Sequence, residues 1–128
     1  MPDAQLGPVS GLQKLASTGL NGYNLQNASP VSVISCNIPN DGNLHRFMIF
    51  AALHVTSAET GGQITVTYTL PDGTVPSHTL FAAGLGVGDN VPALPYMITV
   101  KPGTVISIQQ VTALTVGAAI MWAEIWGS

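Results

Sequence analysis

The chain has 128 residues, three of them basic and six acidic, for a net charge of −3. Charged residues are 7% of the total, against about 25% in ordinary soluble proteins. Three scattered cations cannot neutralise a run of phosphates, which excludes nucleic acid as a partner, and the length fits one domain better than two.

Residues 1–30 are rich in Gly, Ser, Asn and Leu, and Gly7, Gly11, Gly19 and Gly22 rule out a long helix. The segment still carries Leu6, Val9, Leu12, Leu15, Leu20, Tyr23 and Leu25. A solvated tail has no use for so many apolar side chains, so the segment reads as an extended arm lying in a groove of its own domain or of a neighbour. Its first ten residues, MPDAQLGPVS, hold neither a basic n-region nor an apolar h-region, and synthesis in the cytosol is the expectation.

From residue 31 the pattern is strand and turn. VSVISCNI (31–38) is β-branched and alternating, PNDGN (39–43) is a turn cluster, and HRFMIFAALHV (45–55) is a long strand. SAETGG (57–62) turns into QITVTYTL (63–70), which alternates strictly: Ile64, Val66, Tyr68 and Leu70 on one side, Gln63, Thr65, Thr67 and Thr69 on the other. After PDG (71–73) come a short strand at 77–81, a Gly-rich loop from residue 84, and strands at 94–100, 104–111 and 115–126. Turn signals about every ten residues predict an all-β, jelly-roll-like antiparallel sandwich over residues 31–128, with 1–30 as the arm. Pro102, Gly103, Gln109 and Gln110 break the longest apolar run, so no membrane span is expected.

Two strands depart from the alternation of a half-wetted sheet. FMIFAAL (47–53) and VGAAIMWA (116–123) are apolar on both parities. A strand apolar on both sides is normally covered on both sides. The scarcity of Lys and Glu suits an interface core as well. We therefore expect a homo-oligomer whose contacts use Met48, Phe50, Trp122 and Trp126, because large apolar and aromatic side chains dominate such interfaces.

The sequence offers little to catalysis. His45, His54 and His78 lack a His-x-His spacing, and His45 and His54, nine apart, face opposite sides of one regular strand. No GxSxG elbow is present. Cys36 is the single cysteine, without a basic neighbour in sequence, and reads as a small core residue rather than a nucleophile, disulfide or metal ligand. Asp41, Asp72 and Asp89 sit beside Gly or Asn, where side-chain-to-backbone turn bonds account for them. No catalytic activity, metal or cofactor is expected. A glycan contact at Tyr96, beside the Gly-rich loop, is an alternative, because sugar faces use exposed aromatics.

The strand FMIFAAL, the segment GGQITVTYTLPDG and the ending YMITVKPGTVISIQQV…AAIMWAEIWGS resemble the small trimeric jelly-roll modules of the tumour-necrosis-factor/C1q type. Gly103-Thr104-Val105-Ile106-Ser107-Ile108 matches their penultimate G-T-x-I-x-apolar strand. Such modules recur in bacteriophage capsid decoration (cement) proteins and in fibre heads. The resemblance spans residues 31–128 and implies a homotrimer on the outer surface of a virion, bound to the major capsid protein and stabilising the shell. On that resemblance Leu6, Leu12, Leu15, Leu20 and Tyr23 of the arm would dock on the capsid. The alternative it implies is a receptor- or glycan-binding head of a fibre, or a lectin-like module.

Overall fold

The computed structural model describes residues 12–28, 30–90, 97–115 and 117–127. Ten strands run in chain order: β1 Gln13–Ser17, β2 Tyr23–Asn24, β3 Val31–Asn37, β4 His45–Val55, β5 Ile64–Thr67, β6 Ser77–Phe81, β7 Gly88–Asn90, β8 Ile98–Val100, β9 Val105–Gln110 and β10 Ala119–Gly127. They form two antiparallel sheets. In sheet A, β10 and β4 are central; β1 and β2 share the free edge of β10, and β7 and β8 share the free edge of β4. Sheet B has the order β3-β9-β5-β6.

Counting β1/β2 as one interrupted strand and β7/β8 as another leaves eight, ordered 1-8-3-6 in one sheet and 2-7-4-5 in the other. That order is a jelly roll, in which the chain crosses between sheets and neighbours in space are distant in sequence. The expected fold class is thus present. The strand expected at 63–70 is regular only over Ile64–Thr67, and the last strand begins at Ala119 rather than near 115.

β4 and β10 do alternate. Phe47, Ile49, Leu53 and Val55 on β4, with Met121, Ala123 and Ile125 on β10, point into the sandwich and are buried. They meet Val33, Ile64, Val66, Ile106 and Ile108 of sheet B. The Phe47 and Tyr68 rings pack edge to face, 5.5 Å between centroids. Cys36 is half-buried against this core, and burial pushes its thiol pKa up.

Gln13–Ser17 and Tyr23–Asn24, within the segment read as an extended arm, pair as strands β1 and β2 of sheet A. Gln13 lies opposite Gly127 and Ser17 opposite Glu124, with a bulge between Lys14 and Ala16. Leu25 follows β2 and is fully buried. The chain then crosses to sheet B under a clamp made by the buried side chain of Gln110. The Gln26 amide donates to Gln110 Oε1 (2.8 Å), and Gln110 Nε2 donates to the Gln26 and Thr112 carbonyls (2.6 and 3.0 Å). The buried Gln110 amide thereby has both its oxygen and its nitrogen paired and escapes the penalty of unpaired burial.

The turns follow the sequence reading. Asn43 N–H donates to Asp41 Oδ1 (3.0 Å) and Thr74 N–H to Asp72 Oδ1 (2.9 Å), each two residues on. The side chain of Asp89 lies outside the described residues. His45 is buried at the start of β4, with Nε2 2.9 Å from Asp41 Oδ1, whereas His54 near its end is exposed.

Candidate assembly surface

The even-numbered residues of β4 and β10 form the outer face of sheet A. Register sets Trp126 opposite Met48, Glu124 opposite Phe50, Trp122 opposite Ala52, and Ile120 opposite His54. Met48, Phe50, Trp122 and Trp126 are therefore gathered on one face, outside the core, and each is half-buried. An aromatic ring on an open sheet face keeps part of its apolar area in water, a standing free-energy cost that a second surface can remove.

Polar groups on this face are already paired. Trp126 Nε1 donates to Glu124 Oε1 (2.9 Å), and Lys14 Nζ of β1 lies 3.6 Å from Glu124 Oε2. Lys14 and Glu124 are exposed enough that their ion pair adds little stability, but each neutralises the other's charge beside the aromatic side chains.

The turn between β1 and β2 folds along one side. Thr18 N–H donates to the Ala123 carbonyl (3.0 Å), and Ala123 N–H donates to Thr18 Oγ1 (3.1 Å). Gly22 N–H closes the turn on the Gly19 carbonyl (3.1 Å). Trp122 Nε1 donates to the Leu20 carbonyl (2.8 Å), tying the tip of the turn to the face. Gly22 has φ +73°, and a Cβ there would sit 3.0 Å from Ile120 Cγ1, from the Met121 carbonyl and from Trp122 Nε1. Glycine is the residue that meets both conditions.

Between this turn and β4 lies an open cleft of about 430 Å³. Phe50, Ala52 and Trp122 form its floor, and Lys14, Ser17 and Leu20 stand at its rim. The small Ala52 side chain opposite the indole of Trp122 creates the depression.

The residues expected to dock as an arm scatter. Leu6 lies outside the described residues, Leu12 is half-buried, and Leu15 packs over Gly127 while 39% exposed. Leu20 stands 97% exposed at the turn tip, and Tyr23 is half-buried against the core. Tyr96 lies outside the described residues. Sequence reasoning missed Ala52, Thr18 and the Lys14–Glu124 pair. The S-T-G-L-N-G run at 17–22, a turn signature between two short apolar stretches, was the available signal for the loop that interrupts the first strand.

The fold and this face define a jelly-roll β-sandwich with an apolar outer sheet. No family model matches the chain, and no curated protein does. Solved structures of capsid origin do match. The VP2 subviral particle of infectious bursal disease virus aligns with a TM-score of 0.53 at 16% identity, over 99% of this chain and 36% of that one. The Gx strain of the same virus aligns at 0.51 and 16% identity, over 91% of this chain and 31% of that one. The chain thus spans about a third of the length of the proteins it matches. The likeness is one of fold: a similar sandwich forms part of VP2 in that subviral particle.

Proposed function

We propose that the chain is a structural protein of a virion, a homotrimeric decoration protein that binds the major capsid protein of a phage shell from outside and stiffens it. It acts by binding, without catalysis and without a cofactor. The observation that carries this reading is the outer face of sheet A, where Met48, Phe50, Trp122 and Trp126 lie together with their polar neighbours already paired. Such a face gains free energy when copies cover one another, and aromatic side chains are the residues that dominate such contacts. The jelly-roll likeness to a capsid protein over nearly the whole chain supports the virion context. Many weak contacts made by each trimer with several shell subunits would add up to tight attachment.

Mass photometry and sedimentation of the full chain test the assembly, with three copies expected. A stable monomer at micromolar concentration removes this reading. Shell binding is tested by cosedimentation with undecorated shells of the encoding virus. Deleting residues 2–11 probes the docking segment without removing β1, which a longer deletion would destroy. The truncated protein is expected to stay trimeric and to lose the shells; normal decoration by it would overturn the docking role.

A further inference from the structure

The knob and the hole of the assembly contact lie on the same chain. We infer that Leu20 of one copy seats in the cleft floored by Phe50, Ala52 and Trp122 of the next, an inference that rests on the self-assembly reading above. Leu20 is the most exposed large hydrophobic side chain among the described residues, at 97%, although its own backbone carbonyl is held by Trp122 Nε1. The tip is therefore fixed and its side chain presented outward, so little further ordering is needed on contact. Its own cleft lies beside it but does not receive it.

Charge matches as well. The turn Thr18-Gly19-Leu20-Asn21-Gly22 carries no charge, and the two charged groups at the cleft rim, Lys14 and Glu124, neutralise each other. The cleft is continuous with the half-buried Met48, Phe50 and Trp126, so a seated Leu20 would centre a wider apolar contact. Seated head to tail, knob into hole around a three-fold, the contact closes the ring of the proposed trimer; reciprocal seating about a two-fold would give a dimer instead.

The test uses the full chain with Cys36→Ser, which removes its one cysteine. Leu20→Cys and Ala52→Cys are made as separate proteins, mixed and mildly oxidised. The expected result is a disulfide between the two variants, at least about fivefold above either variant alone. An oligomer that forms no such cross-link overturns the Leu20 contact and leaves outer-face assembly standing, whereas a monomer overturns both. Cross-linking of Leu6→Cys to Ala52→Cys within one chain would assign the cleft to the chain's own N-terminal segment and overturn the inference. Independently, Leu20→Asp is expected to weaken association at least tenfold while leaving Tm measured on the monomeric fraction unchanged, in keeping with a central interface anchor. Unchanged association overturns the inference.

Discussion

Replacing Gln110 by Met removes the clamp between the two sheets and almost nothing else, since the two side chains are of similar volume and the site is fully buried. The variant leaves the Gln26 amide and the Gln26 and Thr112 carbonyls without their Gln110 partner. The Gln26 carbonyl still accepts from Leu114 N–H and the Thr112 carbonyl from Gly62 N–H, so the Gln26 amide is the group orphaned, at a cost of roughly 1–3 kcal/mol. Unfolding entropy of about 2.1 cal/mol/K per residue converts that loss into a Tm fall of roughly 4–11 °C for a chain of this length. Calorimetry at one fixed protein concentration measures it, because association makes Tm depend on concentration. Urea unfolding followed by circular dichroism should show a lower midpoint at an unchanged slope. A Tm change below about 3 °C would refute the reasoning, since three bonds from one buried side chain would then be nearly without effect.

Three further outcomes are expected. Asp41 has its carboxyl held below the usual carboxylate range, first by the hydrogen bond to His45 and then by the Asn43 amide. A lowered carboxylate stabilises the fold above its unfolded value, about 3.9, and that contribution is lost as pH falls through the lower folded value. The Tm gap between the native chain and Asp41→Asn is thus largest above the usual carboxylate range and closes in acid below it, as thermal melts at several pH values would register. Trp122→Phe keeps the ring but loses the bond to the Leu20 carbonyl; a stability loss of about 0.5–1.5 kcal/mol and faster protease cleavage within residues 18–22 are expected. Gly127→Val drives a Cβ to 2.6 Å from Leu15 Cδ1 and 3.0 Å from the Arg46 carbonyl, overpacking that costs about 1–3 kcal/mol. Adding Leu15→Ala should recover part of that loss in a double-mutant cycle.

The strands legible in the sequence are those whose signal is local. Period-two runs and flanking turn residues located β3, β4, β6 and β9 to within a residue or two, and Asp41 and Asp72 were recognisable as turn formers. The excess of apolar residues on β4 and β10 was legible too, and the structure places the excess on the outer face. β1, β2 and β7 were not legible. QKLAS, YN and GDN have weak strand character, and what makes them strands is pairing with β10 and β4, far away in sequence for β1 and β2. The cleft escaped for a related reason. It exists because Ala52 falls opposite Trp122, and register between strands about seventy positions apart is a property of the folded sheet.

The position of β10 bears on when the molecule becomes sticky. It is the last of the described strands, yet it runs down the middle of sheet A, between β1 and β4. A nascent polypeptide still lacking residues 119–127 has no such sheet, only two separated ribbons with unsatisfied edges. The apolar outer face therefore exists only once residues 119–127 have paired with β4, since that pairing brings Trp122 and Trp126 alongside Met48, Phe50 and Ala52.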